Sequence, residues 1–439
     1  MLRTVAEIRD PVHGYIRMTE VEREVIDSPE VQRLRRIHQL AGAFLVYPGA
    51  VHTRFEHVVG AMHVAGAIAQ SLAGCADISD EQIQEIRLAA LLHDVGHGPF
   101  SHLFEEVLSA KTRLSHEDIT TQVVSKTRIR DILGRNGFSS KSMSAFAVGD
   151  QKKRPRFMNE IISGGLSADI MDYLLRDSYF TGVEYGKVDI NRIISSLSIA
   201  EDRLALRSAA LYAFEAILLA RYQMFKTVYF HRTVRAAQLM LVHSMILADD
   251  SLHLTSFSDI NKYLELTDEG VLQKLVSLDP SNKRMAESRQ LARDFRDRRL
   301  VKCVYERLML RKDRAVQQLF EKGEVRDKLL LDISTKARVN RMHIFLDVPT
   351  VPSVPYTPFR EMFTSIIVDH AGEAGAGGAP KSRSDKTRFE TVPLSQLPLV
   401  GSIAGFMNIL RVYTRPENRP KVFEATRELL GDKASLIRE

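Results

Sequence analysis

The sequence predicts a mainly α protein, with a helical body over residues 1–340 and a smaller C-terminal mixed α+β lobe over residues 341–439. Three observations predict it. Apolar residues recur at three- and four-residue spacings through most of the first part, with few internal Pro or Gly. After residue 340 the pattern changes to short β-prone runs and proline-rich stretches. With 439 residues, 44% of them hydrophobic and 26% charged, the chain has a globular composition and can bury an extensive core.

Along the body, periodicity predicts helices at 57–71, 82–94, 103–110, 169–178, 209–248 and 285–322. Breaks fall at Asp10-Pro11 and Gly14, Pro48-Gly49, Gly96-His97-Gly98-Pro99 and Gly164-Gly165. Several lie near histidines, where irregular backbone can aim side chains at a site. In the lobe, residues 343–348 read as a strand, 349–358 are too proline-rich for a helix, and 364–368 form a second β-prone run. Residues 372–386 lack the apolar side chains that offset ordering entropy and are expected to form a flexible loop. Residues 402–413 resume an apolar run before a charged helical tail.

Composition excludes several classes. Two cysteines, Cys75 and Cys303, make neither a disulfide framework nor a paired zinc motif, which favours a reducing, cytoplasmic setting. Charges interrupt the N-terminus before a signal-peptide core develops, and no run reaches ~18 uninterrupted apolar residues, so neither secretion nor membrane spanning is expected. A net charge of +6 is a mild excess that suits anionic ligands. The run 283–314 carries 12 Lys or Arg among five acidic residues without an aromatic ladder. It reads as a solvated amphipathic helix, and nucleic-acid binding is not favoured.

The chemistry concentrates in His57, within Arg54-Phe55-Glu56-His57, in the pair His93-Asp94, and in Asp169. Brought together by three helices, these offer two nitrogens and two oxygens, a set suited to one divalent ion such as Fe, Mn, Ni, Co or Zn, with Mg also in range. Leu88 to Leu92 should be buried, so a histidine and a carboxylate at the end of that helix need pairing or a metal. The alternative is a satisfied helix C-terminus stopped by Gly96. Against it, His97, His102, Glu105 and His116 crowd the following stretch, placing four of the 14 histidines within 24 residues.

At these residues the chain resembles the HD-domain phosphohydrolases, and more closely the deoxynucleoside triphosphate triphosphohydrolases among them. The likeness runs through Asp10-Pro11-Val12-His13-Gly14, Gln32-Arg33-Leu34-Arg35, Val46-Tyr47-Pro48-Gly49-Ala50, Arg54-Phe55-Glu56-His57, residues 93–102 and Asp172-Tyr173-Leu174-Leu175-Arg176-Asp177. It extends weakly to Leu410-Arg411-Val412-Tyr413. No sterile-alpha-motif domain is expected ahead of Asp10. The resemblance implies that His57, His93, Asp94 and Asp169 are metal ligands. It implies that His116 protonates the leaving 5′-oxygen, with His97 and Glu105 in support, releasing a deoxynucleoside and intact triphosphate. Gln39 and Leu40 match sugar and base contacts, Arg54 a phosphate contact, His102 a pocket histidine, and Tyr173 with Asp177 the residues that receive the 3′-hydroxyl. Each has a plainer account: a surface cation for Arg54, core packing for Leu40, and an ordinary i, i+4 contact for Tyr173 and Asp177.

Relatives also bind regulatory guanine nucleotides, and Asp27, Gln32 and Arg35 match the residues that read guanine. Helix capping by Asp27 before Pro29 and a solvated face at Gln32 and Arg35 explain them equally well. The sequence departs from the family pattern at Ile170, where a basic phosphate contact is common, and at Ala6, where the eukaryotic enzymes carry a lysine. The basic residues of their second regulatory site are not evident in residues 214–220. Lys226, His231, Arg232 and Arg235, read as one helical stretch, are candidates to supply phosphate charge instead; a solvated basic face is the alternative. The resemblance further implies a homo-oligomer, tetramer or larger, a dNTP substrate with Mg on the nucleotide, and a role in controlling dNTP pools or in phage defence. The competing functions are hydrolysis of another nucleotide or nucleic-acid phosphoester, and a regulatory protein with a vestigial site.

Overall fold

The computed structural model describes residues 2–74, 76–149, 154–309, 322–348, 365–371, 388–397, 399 and 408–431. The expected loop at 372–386 and the proline-rich 349–358 lie outside the described residues. A hairpin of β1 (Ala6–Asp10) and β2 (Gly14–Met18) opens the chain, its turn made by Asp10-Pro11 and by Gly14 at φ 76°. Helices α1 (Glu20–Ile26) and α2 (Pro29–Gln32) follow. The centre of the body is α3 (Arg54–Ala73), packed against α4 (Asp80–Leu92). Each starts at a capping box, Thr53 with Glu56 and Ser79 with Gln82. Helix α3 is buried on nearly every face, which its small residues allow.

Five shorter helices fill the next span: α5 (His102–Ser109), α6 (His116–Lys126), α7 (Arg128–Arg135), α8 (Ser140–Ala147) and α9 (Arg156–Ser163). Then α10 (Ala168–Thr181), capped by Ser167 and stopped by Gly182 at φ 74°, lies against α3. A short α11 (Ile190–Ile194) leads to strands β3 (Leu197–Ala200) and β4 (Arg203–Arg207). The helix expected over 209–248 divides into α12 (Leu211–Met224), a π-turn at Phe225–Tyr229 and α13 (Arg232–Leu252). Helices α14 (Ile260–Leu264), α15 (Asp268–Val276) and α16 (Lys283–Arg296) complete the body.

The helix expected over 285–322 ends at Arg296, and Lys302–Met309 is strand β5. Arg298, at φ 57°, turns the chain out of the helix, and the β-branched and aromatic Val304 and Tyr305 suit the ladder β5 forms with β9. That ladder redraws the small lobe. It is a three-stranded antiparallel sheet ordered β5, β9 (Asn408–Thr414), β6 (Ile344–Asp347), covered by α17 (Gly323–Ala337) and α18 (Arg419–Leu430). Tyr305, Ile333, Ile344, Leu410, Val412 and Val422 form its own core, so two of its elements precede residue 341. Strands β7 (Ser365–Asp369) and β8 (Phe389–Pro393) leave the lobe and extend β3–β4 into a four-stranded sheet, β7 running parallel to β4. Hairpins β1–β2 and β3–β4 are set into an otherwise helical body. Among the described residues no helix is long and apolar enough to cross a membrane.

Candidate metal centre

Helices α3, α4 and α10 bring His57, His93, Asp94 and Asp169 together. His57 lies in the first turns of α3, His93 and Asp94 just beyond α4, and Asp169 in the first turn of α10, where the helix dipole favours a carboxylate. His57 Nε2 stands 3.3 Å from His93 Nε2, 3.2 Å from Asp169 Oδ1 and 3.5 Å from Asp94 Oδ2. His93 Nε2 is 3.3 Å from Asp94 Oδ1 and 3.8 Å from Asp169 Oδ1. Ligand atoms arranged tetrahedrally at 2.0–2.1 Å from one ion are about 3.3 Å apart, so His57, His93 and Asp94 have the spacing of a single site, with Asp169 Oδ1 beside both imidazoles.

The tautomers test the fit. His93 Nδ1 faces the Ala90 carbonyl at 2.7 Å, which can only accept, so its proton is on Nδ1. His57 Nδ1 likewise donates to Asp172 Oδ2 at 2.8 Å. Neutral imidazoles held this way aim two Nε2 lone pairs at each other, an arrangement that needs a cation or a proton between them. Without an ion, burial opposes ionisation of His57. Hydrogen bonds to Asp169 and Asp172, with the charges of Asp172 and Asp94, outweigh burial and push it up to about 10. The donors present fit a borderline divalent metal.

Beside this set lies a second group. Buried Arg54 is an ion-pair partner of Asp94 and donates through Nε to Ser101 Oγ at 2.7 Å, which rules out a surface cation; its Nη2 has no hydrogen-bond partner. His97 Nε2 lies 3.3 Å from Asp94 Oδ1, and its ring stacks on His116 at 4.2 Å. Burial, then the charges of Arg54 and His116, hold His97 well below its usual value, so it is neutral. His116 is an ion-pair partner of Glu105, and despite burial that neighbouring carboxylate raises the imidazole. His102 is exposed, edge-on to His97 at 4.8 Å and 3.7 Å from Glu105.

Along α10, Asp169, Tyr173 and Asp177 follow at four-residue steps, so they share a face with about 6 Å between levels. Tyr173 and Asp177 have separate partners. Asp177 is buried and accepts from His52 Nε2 at 2.7 Å and from the Tyr229 hydroxyl at 2.6 Å, while Arg221 Nη1 donates to the Tyr173 hydroxyl at 2.5 Å. Gln39 joins this group through its backbone N–H, which donates to the His52 carbonyl at 3.1 Å, and its side-chain Oε1 is buried without a partner. Leu40 packs partly buried against Ala43, Ala50 and Val234.

The chain matches the HD domain over residues 54–177 and the HD associated region over residues 188–370. It belongs to the HD-domain family. Protein YwfO of Bacillus subtilis is 34% identical, covering 62% of this chain and 63% of its own length. The deoxynucleoside triphosphate triphosphohydrolase SAMHD1 homolog of Dictyostelium discoideum is 29% identical, covering 68% of this chain and 60% of its own length. The chain thus spans less than two thirds of these curated relatives. A crystal structure of a phosphohydrolase from Bacteroides thetaiotaomicron superposes with a TM-score of 0.71 at 25% identity, covering 93% of this chain and 99% of that one.

Behind the candidate ligands lies a buried ionic network that the sequence alone did not reveal. Asp172 accepts from His57, from His13 Nε2 at 2.7 Å, and from Arg176 Nη2 and Nε at 2.8 and 2.9 Å; Arg176 Nη1 also donates to Asp10 Oδ2 at 2.8 Å. Gly60 makes room for it, since a Cβ there would sit 1.9 Å from Asp172 Oδ1. The i, i+4 spacing of Asp172 and Arg176 and the Asp10-to-His13 turn were the available signals. His52, Tyr229 and Arg221 had none.

The turn between α4 and α5 is strained: Phe100 and Ser101 take φ of 60° and 58°. Asp268 holds it, accepting from the Phe100 N–H at 2.6 Å and from the His38 N–H and ring Nδ1 at 2.9 and 2.8 Å.

The remaining expectations resolve as follows. Asp27 is exposed at the C-terminal end of α1, and it is Ser28 that caps α2. Gln32 accepts from Arg35 Nε at 2.9 Å, and the Arg35 guanidinium lies 3.5 Å over the Phe55 ring. His231 caps α13, accepting from the Thr233 N–H at 3.2 Å, so the stretch from Lys226 to Arg235 is not one helix. Arg232 and Arg235 pair with Glu306 and Asp347 of the small sheet and are not free for phosphate.

Proposed function

We propose that this chain hydrolyses deoxynucleoside triphosphates to a deoxynucleoside and inorganic triphosphate, using one divalent ion at His57, His93, Asp94 and Asp169. The observation that carries the reading is the pair of imidazole lone pairs facing each other at 3.3 Å beside two carboxylates, with Tyr173 and Asp177 four and eight residues further along α10 from Asp169. When bound, a divalent ion in such a set polarises a phosphoryl oxygen and acidifies a water.

The chain's own groups do the rest. As the water oxygen bonds to the α-phosphorus and the bond to the 5′-oxygen breaks, His116 gives its proton to that leaving oxygen, and Glu105 keeps it charged beforehand. Arg54 offsets the charge of Asp94, and its unpartnered Nη2 suits a phosphate oxygen. Arg221, whose Nε is buried without a partner, supplies charge that the buried Ile170 cannot. Asp177 retains lone pairs for a 3′-hydroxyl, and Tyr173 crowds the 2′ position, which supports selection of deoxyribose. The reading extends to a cytoplasmic homo-oligomer, tetramer or larger, controlling dNTP pools and activated by a guanine nucleotide at Asp27, Gln32 and Arg35.

Ile170 favours a second reading, hydrolysis of a phosphoester carrying fewer phosphates. Incubation with each dNTP and, separately, each dNMP in Mn²⁺, Mg²⁺ or no metal, with and without GTP or dGTP, followed by product separation, tests both. Triphosphate with deoxynucleoside is the expected outcome. Phosphate with a diphosphate rejects the bond assignment, and turnover of monophosphates alone favours the second reading.

A further inference from the structure

The small sheet reaches the substrate loop through side chains of one helix. Asp347 of β6, 2% exposed, accepts from Arg235 Nη2 at 2.8 Å and from Nε at 3.2 Å. The third nitrogen of the same guanidinium, Nη1, donates to Gln238 Oε1 at 2.8 Å. Gln238 Nε2 in turn donates to the Ala41 carbonyl at 3.1 Å. Residues 235 and 238 are neighbours on one face of α13, so the chain of bonds needs no backbone rearrangement. The adjoining face of α13 carries the loop as well. Val234 packs with Ala43 and Ala50 under Leu40, Val46 and Tyr47, and a Cβ at Gly42 would stand 3.4 Å from that of Ala237.

We propose that Arg235 is a positioning residue. Through Gln238 it ties the seating of the C-terminal lobe to the loop bearing Gln39 and Leu40, and so sets affinity for the sugar and base without entering the phosphate chemistry. The role assigned to Gln39 and Leu40 rests on the proposed nucleotide hydrolysis; the mechanical link does not. Arginine is required because its planar fork serves Asp347 with two nitrogens and Gln238 with a third, whereas a lysine ammonium is a single point charge. Arg235 Nη2 also lies 4.0 Å from Glu106 of α5, so the same group touches the helix next to Glu105.

Hydrogen exchange of the full chain reads the link directly. The amides of Ala43, Val46 and Tyr47 are protected by bonds to the Leu40 and Ala43 carbonyls. Asp347→Asn, Arg235→Lys and Gln238→Met should each speed their exchange roughly three- to ten-fold, the worth of about one hydrogen bond. Glu287→Gln, which breaks a different lobe contact, the 2.6 Å pair of Arg415 with Glu287, should leave them unchanged. With dNTP as substrate the first three variants should raise KM by a similar factor and keep kcat within about twofold. Exchange unchanged in Asp347→Asn and Arg235→Lys overturns the proposal, as does an equal change in Glu287→Gln. Wild-type protein that turns over no dNTP while the exchange pattern holds refutes the substrate reading and not the link.

Discussion

Asp172→Asn tests how much of the metal centre depends on its supporting network. The carboxylate is fully buried and accepts four charged or ring N–H groups, from His13, His57 and two nitrogens of Arg176. An amide offers one acceptor oxygen and presents N–H where two of those donors point, so about half the bonds become donor-to-donor contacts. Arg176 is left buried with Asp10 as its remaining partner. Removing one member of such a network costs about 3–5 kcal/mol, a large share of a typical total stability of about 5–15 kcal/mol. Loss of the anchor on His57 should weaken metal affinity about 10- to 100-fold. Urea melts of metal-free protein measure the first effect, and elemental analysis after dialysis against graded chelator the second. Burial opposes ionisation of Asp172, but Arg176, His13 and His57 hold its folded pKa well below the usual value. Its stabilisation is therefore present above about pH 3.9 and disappears as pH falls through the depressed folded value, so wild type and variant should converge only in strong acid. Gly60→Ala attacks the same carboxylate sterically, without changing charge, and should reproduce the metal loss. Metal retention equal to wild type, with a stability change under about 1 kcal/mol, refutes the argument.

Asp169→Ala should abolish turnover and metal retention while leaving a cooperative melt; full metal content by elemental analysis removes Asp169 from the ligand set. Glu105→Gln should shift the alkaline limb of the kcat profile to lower pH, because Glu105 is what raises His116 against burial; an unmoved limb means that His116 is not the acid. Asp268→Asn should flatten a pH dependence. The hydrogen bond that His38 donates to Asp268 raises His38, so that pair stabilises the fold below about pH 6.5 and loses its effect as pH rises through the raised folded value. Urea midpoints at pH 6 and 9 should therefore differ more in wild type than in the variant, and parallel shifts in both would contradict the assignment.

The helices that carry the candidate ligands were legible because α3, α4 and α10 are runs without internal Pro, with apolar residues at three- and four-residue spacings and Ser or Thr caps. The candidate ligands could be picked out because His57, His93-Asp94 and Asp169 stand in distinctive local strings. What surrounds them was not. His52 meets Asp177, and Arg54 meets Ser101, across separations that leave no local pattern. Strand β5 was misread as helix because its charged residues continue the amphipathic run of α16, and only pairing with β9 reveals the ladder. Arg232 and Arg235 looked like free phosphate cations for the same reason, since Glu306 and Asp347 lie 74 and 112 residues downstream.

The strand order carries a lesson about synthesis. β7 lies between β4 and β8, and β9 lies between β5 and β6, so late stretches of polypeptide supply interior strands to two sheets begun much earlier. While a nascent chain emerges from the ribosome, β4 and β5 must wait with an open hydrogen-bonding edge for partners more than a hundred residues away. Maturation of the fold is therefore gated by the arrival of these strands. A stalled or prematurely ended product would expose two adhesive edges, which makes it a natural client for chaperones and a seed for aggregation.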